Sequence, residues 1–204
     1  KNTSKMKKIL LSGVFSFLAF SFVLGAGYKV GDKAEDFKLQ NVDGQYVSLA
    51  DFNDAKGYIV VFTCNGCPYA KAYQDRIIAL DKKYKSQGYP VVAINPNDVD
   101  LKSDDSLEAM KKRSEEKGFT FPYLKDAEYE VFKTYGATRT PHIYVLNKES
   151  GDLIVKYIGT IDDNYQDASA VQETYLANAV DALIAGKDPN PSATKAIGCT
   201  IKQK

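Results

Sequence analysis

Apolar residues in this chain follow two periods in turn. Residues 58–63, YIVVFT, are an unbroken run rich in β-branched and aromatic side chains, closed off by Lys56-Gly57 before it and Asn65-Gly66 after it; this predicts a buried strand. From Tyr69 onward the spacing changes to threes and fours through Ala70, Tyr73, Ile77, Leu80 and Tyr84, which predicts an amphipathic helix ending before Gly88. Residues 89–95, YPVVAIN, are a second buried strand. Strand, crossover helix and strand make the βαβ unit of a parallel sheet.

The flanking pattern completes an α/β domain. Residues 37–39 and 46–49 alternate on either side of an Asp43-Gly44 turn, an N-terminal β-hairpin. Ser106 is placed to cap a helix running through Lys117. Residues 119–124 are an apolar segment broken by Pro122, residues 125–135 a short helix, and residues 143–147 and 153–157 two antiparallel strands joined by a turn at 148–151. Residues 165–184 close the pattern as a helix with Val171, Tyr175, Ala179 and Leu183 on one face, and residues 188–204 form a flexible tail that carries Cys199.

The N-terminal pattern bears on compartment. Lys5, Lys7 and Lys8 surround Met6, which reads as the true start, and no charge occurs in residues 9–27. This predicts a signal peptide over residues 1–26, with small residues Gly25, Ala26 and Gly27 suited to cleavage, or else an uncleaved membrane anchor. Either places the folded domain, residues 27–187, outside the cytoplasm, periplasmic or extracytoplasmic, where disulfides persist. The net charge of +1 and the lack of a basic cluster give no reason to expect nucleic acid as a partner. Membrane contact follows only from an uncleaved segment.

The chemistry sits where the first core strand meets the first long helix. Cys64 and Cys67 stand at CxxC spacing, with one thiol expected at or just before the helix N-terminus, where unpaired amides and the dipole favour a thiolate. Cys64 is the expected nucleophile. Cys67, three residues on and about one turn inside the helix, is the expected resolving thiol that closes a disulfide on it. CxxC also serves zinc, but outside the pair the chain has only Cys199 and a lone histidine, His142, with no second paired spacing, so no metal is expected. Pro141 lacks a ladder donor, so Thr140-Pro141 marks the start or edge of the strand that follows.

These residues carry a resemblance. Strand, CxxC, helix, strand, helix and a final antiparallel pair with a helix resemble the thioredoxin fold, a central mixed β-sheet flanked by helices. The opening GDKAEDFKLQNVDGQYVSL is similar to that of the alkyl hydroperoxide reductase and thiol-specific antioxidant (redoxin) family, and FTCNGCPYAKAY with the ending GCTIK resembles its peroxiredoxin-like branch of secreted bacterial proteins. GATRTPHIYVL resembles the segment that carries a cis-proline facing the redox cysteines. The resemblance implies an exported thiol-disulfide oxidoreductase with no cofactor beyond its own redox-active disulfide. Its implied partners are protein disulfide substrates and an electron donor, with Thr140 and Pro141 docking the substrate backbone through the amide and carbonyl of Thr140.

Two other activities stay open. A peroxiredoxin-like peroxidase reducing hydroperoxides would use a hydroxyl three residues before the cysteine of Cys67-Pro68, where Cys64 stands and Thr63 is one residue off, together with an arginine, for which Arg139 is the candidate. A non-catalytic binding module would use the acidic stretches Asp98, Asp100, Asp104 and Asp105, and Asp162, Asp163 and Asp167. Thioredoxins carry a tryptophan before the first cysteine and a buried acid in the preceding strand; this chain has neither. His142 and Lys71 are therefore the candidates for handling the thiol proton, His142 by favouring the Cys64 thiolate when charged. Cys199 has three readings: a resolving or regulatory thiol reaching Cys64, a link between chains, or an idle residue. The neutral Asn65-Gly66 between the cysteines predicts a reducing or mid-range couple.

Overall fold

In the computed structural model of the chain, residues 27–204 are described; the expected signal or anchor segment, residues 1–26, lies outside them. Among the described residues no helix is long and apolar enough to cross a membrane. The elements in chain order are β1 (Lys33–Ala34), β2 (Lys38–Asn41), β3 (Tyr46–Ser48), β4 (Gly57–Phe62), α1 (Pro68–Tyr84), β5 (Val91–Asn95), α2 (Leu107–Lys117), β6 (Tyr123–Lys125), α3 (Val131–Tyr135), β7 (Arg139–Thr140), β8 (His142–Glu149), β9 (Asp152–Gly159), α4 (Tyr175–Ile184) and β10 (Cys199–Thr200). Eight strands form one mixed sheet in the order β1-β9-β8-β4-β5-β6-β2-β3, with β4, β5 and β6 parallel and β8 and β9 antiparallel; β7 and β10 pair separately. This is a thioredoxin fold extended by the β2–β3 hairpin, as the pattern predicts.

Why β4 reads as a continuous apolar run is visible in its burial. Ile59 and Val61 face one core with Tyr73 and Ile77 of α1, Met110 of α2 and Leu176 of α4, while Tyr58, Val60 and Phe62 face a second core with Phe132 and Tyr135 of α3. A strand covered on both faces has no polar alternation to show. Asp81 of α1 is fully buried and accepts from the Val91 amide at 3.0 Å and the Thr120 hydroxyl at 2.6 Å, so the helix is tied in register to β5. Between β8 and β9 the strands run further than their sequence pattern, leaving a two-residue turn in which Ser150 and Gly151 both have positive φ; this matches the tight hairpin turns that follow strand twist.

Three segments differ from the sequence reading. Helix is expected over 125–135 but forms only at α3, because the buried Asp126 carboxylate takes the amides of Glu130 and Phe132 and sets the helix start late. Helix is expected over 165–184 but begins at Tyr175: Arg76 donates to the carbonyls of Asn164 and Tyr165 at 2.6 and 3.2 Å and to the Asp162 carboxylate at 2.6 Å, which commits those carbonyls to a non-helical path. The tail, expected to be flexible, is held: β10 pairs with β7, Ile201 is buried in the second core, and Asp98 and Asn97 hold the backbone of Lys202.

Candidate active site

At the end of β4 the Thr63 amide makes one more ladder bond, to the Ile94 carbonyl at 2.8 Å, and Thr63 itself is buried. The chain then turns through Cys64, Asn65 and Gly66 and enters α1 with Cys67 as the N-cap and Pro68 at the first helical position, where a missing N–H costs nothing. The expected geometry is therefore corrected at both cysteines. Cys67 stands at the mouth of the helix, not a turn inside it, and Cys64 lies three residues ahead of it.

The sulfurs converge on Thr140. Cys64 Sγ lies 3.1 Å from the Thr140 hydroxyl, and Cys67 Sγ lies 3.1 Å from the Thr140 carbonyl oxygen. Cys67 is disulfide-bonded to Cys199, with Cα atoms 6.0 Å apart, while Cys64 is the free, buried thiol. The bond expected between Cys64 and Cys67 is thus made by Cys67 and Cys199 in this state, across a sequence separation of 132 residues. A cleft of about 350 Å³ opens on the three sulfurs, with Asp105 at its floor and Lys102 and Lys202 at its rim. Cys64 and Cys67 themselves are buried beneath it.

Burial pushes the Cys64 thiol up from its ordinary pKa; the Thr140 hydroxyl and the amides of Cys67 and Gly66 work against that, and the charge of Asp105 adds to it. The expected low-pKa thiolate is not what this state holds, because the helix terminus is aimed from Cys67 and Cys64 sits under cover beside a carboxylate. His142 is corrected for a similar reason. It is buried, its Nδ1 accepts from the Thr138 amide at 3.3 Å, its ring lies 4.9 Å from that of Tyr144, and desolvation pushes its pKa down to about 4. It is neutral at ordinary pH and supplies no charge to Cys64. Lys71, the other candidate, is exposed on α1.

The lowered pKa of His142 has a consequence for stability. Its folded pKa lies below its ordinary value of 6.5, so between those values the unfolded chain binds the extra proton; the stabilisation is present above pH 6.5 and is lost as pH falls toward 4. Denaturant unfolding at pH 7 and pH 4.5 is expected to show wild type losing about 2.5 kcal/mol more than His142→Gln. Equal losses in the two proteins would contradict this.

The Thr140-Pro141 bond is cis. Thr140 is fully buried, and β7 pairs antiparallel with β10, Cys199 opposite Thr140 and Thr200 opposite Arg139. The edge expected to face a substrate is occupied by the chain's own tail. Arg139, the candidate peroxide ligand, donates to the Thr200 hydroxyl at 3.0 Å and to the Gly198 carbonyl at 3.5 Å, and so grips that tail instead.

Several residues that shape the site escape a reading of the sequence. Asp105 is fully buried and accepts from the Asn65 amide at 2.7 Å, Asn95 Nδ2 at 2.9 Å and Asn97 Nδ2 at 2.8 Å. Lys125 is buried beside it and donates to the Asn97 carbonyl and, at 3.2 Å, to the Asp105 carbonyl; desolvation pushes its pKa down, against the pull of Asp105, Asp126 and Asp98. Tyr123 closes the network with a bond to Asn65 Oδ1 at 3.0 Å. Asp98, Asp105 and Asp162, read from sequence as parts of acidic binding stretches, are all buried. The one clue in the sequence is a pair of asparagines, Asn95 at the end of an otherwise apolar strand and Asn97 two residues past it.

Comparison with known proteins bears on the family and the fold. The model of the AhpC/TSA family matches residues 30–158. Thiol-disulfide oxidoreductase ResA of Bacillus cereus is 24% identical over 143 residues, covering 69% of this chain and 78% of the relative. A Mycobacterium tuberculosis protein named putative peroxiredoxin is 29% identical over 118 residues, covering 56% of this chain and 68% of the relative. Among solved structures, an uncharacterized conserved protein from Geobacillus kaustophilus is similar over 86% of this chain and 93% of its own, with 38% identity and a TM-score of 0.79. With converging sulfurs at a strand-to-helix turn, an oxidoreductase architecture and a family match over most of its length, the chain belongs to the AhpC/TSA family.

Proposed function

We propose that the chain is an exported thiol-disulfide oxidoreductase that exchanges disulfides with protein substrates through Cys64 and Cys67. The observation that carries this is the meeting of all three cysteines of the chain at Thr140, one pair bonded and one sulfur free. In the reaction a Cys64 thiolate attacks a substrate disulfide, forming a mixed disulfide and releasing one substrate thiolate. Cys67 then attacks the Cys64 sulfur, closing the Cys64–Cys67 bond and releasing the second. The substrate loses its disulfide and gains two electrons; the enzyme loses two. An electron donor of dithiol type returns the pair to thiols. Export rests on the charged and apolar pattern of residues 5–27.

Peroxidase chemistry is the second reading, favoured by Cys67-Pro68 at a helix N-cap and by the bond from Cys67 to a distant cysteine. Against it, the position three residues before Cys67 is Cys64, not a hydroxyl, and Arg139 is engaged with Thr200. Insulin reduction and hydrogen peroxide consumption, run side by side on the pre-reduced full chain with a dithiol donor, test the choice. Insulin is expected to be reduced well above the donor-only background and peroxide consumed more slowly, with a reducing or mid-range couple. Peroxide turnover without insulin turnover would make the peroxidase the function.

A further inference from the structure

The tail strand has the features of a bound substrate. Cys199 and Thr200 lie antiparallel along β7, with the cysteine opposite Thr140 and bonded to Cys67, and Gly198 makes the bend that leads into them. The fit is close at one point: a Cβ on residue 198 would stand 2.3 Å from the Thr140 carbonyl oxygen and 3.0 Å from the Pro141 nitrogen, so no larger residue seats there without displacing the strand. On the other side of the cysteine, Arg139 reads the Thr200 hydroxyl at 3.0 Å. One residue further the Ile201 side chain drops into the second core, and its amide bonds to the Thr138 carbonyl at 3.3 Å. Backbone pairing along an edge with side-chain pockets at alternate positions is strand addition.

We propose that β7 is a docking edge for extended peptide segments of the form glycine, cysteine, hydroxyl residue, apolar residue, and that β10 is an internal copy of that ligand which fills the edge and joins the exchange through Cys199. This rests on the oxidoreductase reading of the site and names the kind of segment it takes. The internal step is an electron-neutral exchange. A Cys64 thiolate attacks the Cys67 sulfur; the Cys64–Cys67 bond forms, the Cys67–Cys199 bond breaks, and Cys199 leaves as a thiolate that takes up the proton Cys64 gave to solvent. The chain thus has two isomers of one oxidised state, one with the edge filled and one with it able to clear. Noncovalent grips on the tail, from Arg139, Asn97 and Asp98, favour the filled isomer.

Disulfide mapping by mass spectrometry after acid quench tests this without any substrate. Oxidised wild type is expected to carry Cys67–Cys199 as its main bond. Gly198→Val, which keeps all three cysteines, is expected to shift the ratio of Cys67–Cys199 to Cys64–Cys67 by about tenfold or more toward the latter. As a second arm, Gly198→Val with Cys199→Ser is offered the synthetic peptide AIGCTIKQ, the sequence of residues 196–203, as a mixed disulfide with a small thiol. Its transfer to the protein is expected to be about tenfold faster than that of AIVCTIKQ. An unchanged bond ratio in Gly198→Val overturns the internal ligand, and equal transfer of the two peptides overturns the edge specificity. Absence of insulin reduction in wild type would remove the oxidoreductase reading alone and leave the mapping to stand or fall by itself.

Discussion

Cys64→Ser is expected to lower insulin-reducing turnover by about a thousandfold, since a serine hydroxyl is not ionised at neutral pH and cannot form the mixed disulfide. The loss is chemical, because serine can keep the contact with the Thr140 hydroxyl and the Cys67–Cys199 bond does not involve Cys64. Disulfide mapping of the variant should therefore still find Cys67 joined to Cys199. Trapping separates the two sulfurs further. Cys67→Ser should accumulate a mixed disulfide between Cys64 and the substrate, as the thiol that would resolve it is gone. If Cys64→Ser accumulates the substrate complex instead, the attacking sulfur is Cys67 at the helix mouth, and the assignment of roles is reversed. Turnover in Cys64→Ser equal to wild type removes Cys64 from the mechanism and leaves Cys67 and Cys199 as the exchanging pair.

That the roles need testing follows from what the tail does to the site. In the bonded state Cys64 is covered and its thiol is held protonated by burial, so the proposed nucleophile is quiet while β10 is seated. Reduction of the Cys67–Cys199 bond by a dithiol donor would release the cysteine that packs on Cys64 and leave Cys67 as a thiol, with the Thr140 carbonyl as an acceptor 3.1 Å away. Reduction, and not the internal exchange, would thus leave both sulfurs as thiols.

The parts of this arrangement that a sequence displays are those set by local periodicity. The strands β4 and β5 follow from unbroken apolar runs and the helix between them from a spacing of three to four residues, and the CxxC falls at their junction because strand, turn and helix are contiguous. The tail is different. β10 is two residues long and has no period; its partner residues Thr140 and Arg139 lie about sixty positions away, and a cysteine's partner cannot be told from spacing when three cysteines allow three pairings. Gly198 looks like any loop glycine until the approach of Thr140 is known. The helix expected over 165–184 fails at its start for a long-range reason as well, since Arg76 of α1 captures carbonyls about ninety residues downstream. His142 and Asp105 show the same limit for electrostatics: by residue type alone one titrates near neutral pH and the other is solvated, and only the packing around them keeps one neutral to well below that pH and makes the other a buried acceptor.

Asp105 offers the strongest test of that packing. Its carboxylate takes three donors from Asn65, Asn95 and Asn97 in a site with no exposure, and its charge supports the buried Lys125 ammonium. Asp105→Asn keeps the shape but turns an amide donor toward those donors and removes the charge. Two or more charge-assisted hydrogen bonds are lost, which is expected to cost about 4 kcal/mol of unfolding free energy, and Lys125, left with less compensation for its desolvation, has its pKa pushed further down. The same change acts on Cys64 with opposite benefit. Asp105 holds the thiol up, so without it more thiolate exists at neutral pH, and alkylation of Cys64 at pH 7 should be faster in Asp105→Asn than in wild type. A less stable protein with a faster thiol is an unusual pairing, but local unfolding would also speed alkylation. Amide hydrogen exchange over residues 64–67 separates the causes: a charge effect moves the midpoint of the alkylation profile to lower pH with exchange unchanged, whereas local unfolding speeds exchange and alkylation together. If Asp105→Asn unfolds at the wild-type denaturant concentration and alkylates with the wild-type profile, Asp105 plays no part in either the packing of the site or the ionisation of its free thiol.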